Sequence, residues 1–165
     1  MSDTSPLIYL TRLGLFSPLR TLYDRVIVPA AVWQEITVGG KGLPESENLQ
    51  LAVTQGWIEC KAPSSSQTIL PSSSRLGQGE IEAILLATEL RAVLLNDDSD
   101  ARATAEHLGV TVSETLGILS RAKREGHLTN LKSLLDRLLA ETNFHMGAAF
   151  YRKVLEGVGE HPSQP

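Results

Sequence analysis

The chain has little cysteine, few aromatic residues, no excess of positive charge and no long apolar run, and each shortage narrows what it can be. Cys60 is the only cysteine among 165 residues. No intramolecular disulfide or thiolate zinc cluster can form, and a reducing cytoplasm is the expected compartment. The first residues lack the basic-then-apolar order of a signal peptide. No apolar run approaches the roughly 20 residues that span a bilayer, which predicts a soluble protein with no membrane partner. Lys and Arg number 15 against 19 Asp and Glu, a formal net charge of -4. A protein that grips nucleic acid through phosphate contacts alone is usually basic, so a passive binder is disfavoured. An enzyme that reaches phosphate through bound cations is still compatible, because each cation reverses the local field. Other catalytic signatures are missing. His107, His127, His145 and His161 show no zinc spacing, and there is no G-x-S-x-G elbow or Walker loop.

What the chain does contain is ordinary globular chemistry, 42% hydrophobic and 21% charged, in a length that suits one domain with a real core. Helical and strand-like segments alternate. Ser5-Pro6 and Ser17-Pro18 start two short helices. Val26-Ile27-Val28 reads as a buried strand closed by Pro29, followed by a helix over Ala30 to Thr37 that ends at Gly39-Gly40. Glu45 to Gln55 reads as a helix and Trp57 to Cys60 as a strand. A Pro- and Ser-rich stretch over residues 63–74 reads as a surface loop within the domain. Gly77 to Leu90 is apolar nearly all round, the pattern of a central buried helix. Ala92 to Leu95 and Val110 to Val112 read as strands, with helices over Ala101 to Leu108, Ser113 to Glu125, Leu131 to Ala140 and Met146 to Leu155. Alternation of this kind, with apolar strands, predicts an α/β fold with a parallel sheet covered on both faces. The expected domain is 1–160, with a loose tail over 161–165.

The acids fall where such a sheet places ligand sites, beyond the carboxyl ends of its strands. Asp3 precedes the first helix, and Glu35 lies on the helix after the Val26 strand. Glu80 and Glu82 open the buried helix, and Asp97, Asp98 and Asp100 follow the Ala92 strand. Converging carboxylates raise one another's pKa and favour cations among them. Hard oxygen ligands select Mg²⁺ or Mn²⁺. Two such ions can activate a water and stabilise the leaving oxygen of a phosphodiester. Singly, each acid also suits a structural role: Asp3, Asp97 or Asp98 as a helix cap, Glu80 and Glu82 at a helix dipole, Glu35 as a solvated position. Caps alone do not account for the joint pattern.

Four segments in order resemble the motifs of PIN-domain nucleases, in a bacterial and archaeal branch akin to the toxins of toxin–antitoxin pairs. They are Asp3-Thr4-Ser5-Pro6-Leu7-Ile8, Val32-Trp33-Gln34-Glu35-Ile36, Leu76-Gly77-Gln78-Gly79-Glu80-Ile81-Glu82-Ala83-Ile84 and Leu94-Leu95-Asn96-Asp97-Asp98-Ser99-Asp100-Ala101-Arg102. The resemblance covers nearly the whole chain. It implies a three-layer α/β/α sandwich and a Mg²⁺- or Mn²⁺-dependent endoribonuclease acting on RNA. It also implies a homodimer and a small antitoxin that blocks the site. Residue by residue it puts Asp3, Glu35, Glu82 and Asp97 in the metal-ligand positions. Glu80 is an auxiliary acid, Asp98 and Asp100 compete for a remaining place, and Ser5 supports a ligand carboxylate. Arg12, Arg102, Arg121, Lys123 and Arg124 are candidate phosphate contacts, with Arg102 first.

The chain departs from the family in two places. The family sets a whole strand before its opening Asp, whereas only Met1 and Ser2 precede Asp3, so most of the first strand is expected to be missing unless the start lies upstream. Ser113-Glu114-Thr115 stands where the family carries Gly-Thr, which leaves Glu114 as an added acid or a neutral change. Two rival readings follow: a degenerate nuclease fold kept as an interaction or dimerisation module, and a phosphotransfer enzyme using Asp97-Asp98. The second needs a lysine after a late strand, and Lys123 and Lys132 fall within helices.

Overall fold

The computed structural model describes residues 1–64 and 75–161. In chain order these form α1 (Thr4–Arg12), α2 (Phe16–Leu22), β1 (Val26–Pro29), α3 (Ala30–Gln34), α4 (Pro44–Thr54), β2 (Ile58–Lys61), α5 (Gln78–Leu90), β3 (Leu94–Leu95), α6 (Ser99–His107), β4 (Val112–Ser113), α7 (Thr115–Arg124), α8 (Leu131–Glu141) and α9 (Ala148–Glu156). β1 pairs in parallel with β2, and β3 in parallel with β4.

Residues 1–3 join the two pairs. Ser2 N–H donates to Ile27 O at 3.0 Å, Leu95 N–H to Met1 O at 2.8 Å and Asp3 N–H to Leu95 O at 3.0 Å, with Ser2 bridging Leu95 in parallel. The sheet therefore runs β2, β1, residues 1–3, β3, β4. Residues 1–3 are what stands of the strand expected to be largely missing, and they are paired on both sides.

Side chains alternate across this sheet, as the period of two requires. Val26, Val28 and Leu95 pack into one apolar cluster with residues of α1, α2, α4, α7 and α8. Ile27, Leu94 and Met1 point to the other face, where they pack with α5 and α6. The result is the α/β/α arrangement. α5 carries the second cluster through Ala83, Ile84, Leu86 and Ala87, none more than 1% exposed, which agrees with its nearly uniform apolar sequence.

Several boundaries move from those the sequence suggests. The helix after β1 stays α-helical only to Gln34, and the backbone then widens into a π-helical turn, Glu35–Gly39. Gly40 ends that turn, where a Cβ would stand 2.6 Å from Ile36 O, so the close approach requires glycine. β3 is shorter than Ala92 to Leu95 because Ala92 N–H turns back to Ala87 O behind Arg91, which holds a left-handed φ of 49°. Val110 N–H likewise returns to Ala105 O, and the ladder starts at Val112. Most of the Pro- and Ser-rich loop, 65–74, and the tail 162–165 lie outside the described residues.

Proline at position 2 would remove the Ser2 N–H and leave Ile27 O without its partner. Ser2→Pro is expected to lose about 1–3 kcal/mol against Ser2→Ala, which keeps the N–H. Denaturant titration of the two variants measures this. Equal midpoints would show that the pairing of residues 1–3 contributes nothing.

Candidate active site

Asp3 is the last residue of the central extended segment and the first before α1. Its side chain does not cap that helix. Instead Asn96 Nδ2 donates to Asp3 Oδ2 at 3.1 Å, and Asn96 Oδ1 accepts Asp98 N–H at 2.8 Å. Asn96 is 1% exposed and directly follows β3, so a buried amide ties the third residue of the chain to the acidic motif. Sequence reasoning passed over Asn96. The signal was there, since a polar residue between a buried strand and two aspartates needs a partner.

The other acids are held by their own local donors. Thr4 Oγ1 donates to Glu35 Oε2 at 2.7 Å, across to the π-helical turn. Such turns are frequent at functional sites. Glu80 accepts Gly77 N–H at 2.8 Å at the start of α5. Asp97 is clamped by Thr115, whose N–H donates to Oδ1 at 2.8 Å and whose hydroxyl donates to Oδ2 at 2.5 Å. Thr115 starts α7, so the motif that departs from the family still supplies a donor to Asp97.

Asp3, Glu35 and Glu80 line one open cleft. Gly79 lets α5 approach them: a Cβ there would lie 3.5 Å from Asp3 Oδ1, 3.7 Å from Glu35 Oε2 and only 3.0 Å from Val32 Cγ2. Asp97 stands close enough to raise the Asp3 pKa, and Asp98 and Asp100 raise that of Glu80. Asp98 is also the cap of α6, accepting from Asp100 N–H at 2.8 Å and Ala101 N–H at 2.9 Å.

Glu82, expected in the third ligand position, is not itself among the cleft-lining residues but is bonded to two that are, Ala31 and Gln78. Its Oε2 accepts Ala31 N–H at 2.9 Å at the start of α3, and its Oε1 accepts from Gln78 at 3.1 Å. Glu80, expected as the auxiliary acid, lines the cleft. Ser5 also lines the cleft.

The expected phosphate contacts are mostly engaged by acids. Arg102 pairs with Glu114, Arg12 with Glu45, Arg121 with Glu125 and Lys123 with Glu160. Glu114 is thus an added acid with its own cation, and its charge still raises the Asp97 pKa.

Burial pushes the Asp3 carboxyl from its ordinary value of 3.8 up to about 7, opposed by the Thr4 N–H and reinforced by Glu80, Glu35 and Asp97. Burial raises Glu80 and Asp97 as well. As placed, no three His, Cys, Asp or Glu side chains among the described residues close on one point. The donor chemistry nevertheless fits Mg²⁺ or Mn²⁺. The cleft acids offer only oxygen, one is a buried carboxylate faced by three others, and no lysine or arginine is among the described residues that line the cleft.

The family profile described as PIN domain matches residues 1–160. No curated protein matches the chain. Among solved structures, a PilT N-terminus domain protein from the hyperthermophilic archaeon Sulfolobus solfataricus P2 is similar at 19% identity, with a TM-score of 0.49, over 88% of this chain and 98% of that one.

The raised Asp3 pKa carries a sign. An acid whose folded pKa exceeds its unfolded one gives its full stability below the unfolded value, and that stability is lost as pH rises through the folded value. In EDTA the wild type is expected to lose stability relative to Asp3→Asn between about pH 4 and pH 7, by on the order of 4 kcal/mol at most. Unfolding free energies measured across that range test it. A pH-independent difference between the two proteins would contradict it.

Proposed function

This chain belongs to the PIN-domain family, and on that premise we propose that it is a Mg²⁺- or Mn²⁺-dependent endoribonuclease whose cation is held by Asp3, Glu35, Glu80 and Asp97. PIN domains are typically nucleases and generally use divalent ions. The observation that carries the reading is the buried Asp3 carboxylate, raised to about 7 and facing Glu80, Glu35 and Asp97. Such a site is costly without a cation and well matched to one.

The chain's own part in the reaction is to fix oxygens. Asn96 holds Asp3 Oδ2 and leaves Oδ1 toward Gly79 and the cleft. Thr115 holds both oxygens of Asp97 from one side, so the carboxylate keeps one orientation and retains lone pairs for an ion. Thr4 steadies Glu35, and the Gly77 N–H steadies Glu80, which would hold the ion through its remaining lone pairs. A bound Mg²⁺ or Mn²⁺ supplies Lewis acidity at the scissile phosphate. We read Glu80 as the third ligand and Glu82 as the cap that fixes α3, and with it Glu35, against α5. Asp98 and Asp100 border the site through Glu80 and tune its charge.

The order of the four motifs supports the finer reading, a toxin of a toxin–antitoxin pair. Its expected partners are an RNA substrate, a small antitoxin over the acidic cleft and a second copy of the chain in a homodimer. No helix among the described residues is long and apolar enough to cross a membrane. An exposed, unpaired Cys60 suits the cytoplasm. We take 1–160 as one nuclease domain. The rival, a degenerate interaction module, draws on the acids not closing on a single point as placed.

Cleavage of a short RNA with Mn²⁺ tests the proposal. Asp97→Asn and Glu80→Gln are each expected to lower the rate by about two to three orders of magnitude. Glu82→Ala is expected to keep the rate within about tenfold and to lose about 1 kcal/mol of stability with its cap. Normal cleavage by Asp97→Asn would sink the nuclease reading. A folded wild type that binds no Mn²⁺ in calorimetry would favour the interaction module.

A further inference from the structure

The cleft has a side that the acidic motifs do not supply. Asn143, in the loop between α8 and α9, lines it along with Asp3, Glu35 and Glu80. That loop is docked on α1. Tyr9 Oη donates to Asn143 Oδ1 at 3.0 Å, and the Phe144 ring meets Tyr9 edge-on with centroids 5.5 Å apart. Phe144 N–H donates to Thr142 Oγ1 at 3.0 Å, and Arg12 donates to Glu141 O at 3.2 Å. Tyr9 is only 8% exposed, so the anchor is fixed by the core while Asn143 itself is exposed to the cleft.

An asparagine whose carbonyl oxygen is already taken has two amide N–H groups left to give. The cleft has need of them. Its described lining has no lysine or arginine, and Arg12, Arg102, Arg121 and Lys123 each pair with a carboxylate. A phosphodiester entering here requires donors for its non-bridging oxygens on the side away from the acids. A lysine in that place would pair with Asp3 or Glu35 and compete with the divalent ion for them. An uncharged amide donates to phosphate without doing so.

We propose that Asn143 is a substrate-binding residue that donates its Nδ2 amide to a non-bridging oxygen of the RNA backbone, with Tyr9 as the positioning residue that sets the amide's orientation. This deepens the ribonuclease reading above and rests on it. The contact orients substrate and leaves cation binding to the acids.

Steady-state cleavage of a short RNA by the full chain with Mn²⁺ separates the two claims. Asn143→Ala is expected to raise KM about tenfold with kcat nearly unchanged. Asn143→Asp, which removes the donor and adds a carboxylate, is expected to raise it further. Tyr9→Phe should reproduce most of the Asn143→Ala effect, and the double variant should be no worse than Asn143→Ala alone, because both changes remove one contact. A merely structural Asn143 would shift the melting temperature and leave KM in place. Wild-type cleavage with an unchanged KM in Asn143→Ala overturns this inference alone, as do Tyr9→Phe and Asn143→Ala effects that multiply in full. No RNA cleavage by the wild type overturns the nuclease reading and this inference with it.

Discussion

Backbone hydrogen bonds to Ile27 and Leu95 hold residues 1–3 at the centre of the sheet, and the position of Asp3 follows from them. A sheet residue paired on both sides has no freedom to move its Cα. The side chain is then fixed by Asn96, itself locked by Asp98 N–H. The second acidic region is tied to the same point, since Asn96 is the residue after β3 and Asp97 the next. The central segment thus sets both the order of the strands and the distance between the first and last acids. Those three residues pair because the flanking strands supply matching donors and acceptors.

The electrostatics follow from that geometry. Asp3 is buried because it ends a central strand, and its charge is disfavoured both by burial and by Glu80, Glu35 and Asp97. Each acid of the group has a protein donor: Asn96 for Asp3, Thr4 for Glu35, Gly77 for Glu80 and Thr115 for Asp97. Cations elsewhere on the chain are drawn to other carboxylates, as Arg102 is to Glu114. Asp3, Glu35 and Glu80 thus share a cleft with no lysine or arginine among the described residues that line it.

Much of this was legible in the sequence. The starts of α1 and α2 came, to within a residue or two, from the Ser-Pro pairs, although both serines lie inside the helices and neither helix has a side-chain cap. The β1 strand and the buried character of α5 came from a β-branched run and the lack of a polar face. The four motifs placed the acids at one edge of the sheet, and the structure brings Asp3, Glu35 and Glu80 to one cleft. The choice between Glu80 and Glu82 was not legible. Residues two apart on a helix differ by about 200° in direction. Which of them lies nearer the cleft depends on how α5 rolls on the sheet, and packing at Ala83, Ile84, Leu86 and Ala87 sets that. The π-helical turn that carries Glu35 was hidden for a similar reason, since its residues read as an ordinary helix until tertiary contacts widen it. Asn143 lies far along the chain from the motifs, and no local spacing could connect it to Tyr9. The shortness of the first strand was legible by counting the residues before Asp3, but its pairing on both sides was not.

The central claim is that the buried strand-end carboxylate and its neighbours form one cation site. Anomalous diffraction from crystals grown with Mn²⁺ tests it most directly. The account predicts a peak within ligand distance of Asp3 and Asp97, with Glu80 turned toward it and Glu82 still on the α3 N-terminus. A peak bound by other residues, or none at a saturating concentration, would contradict it.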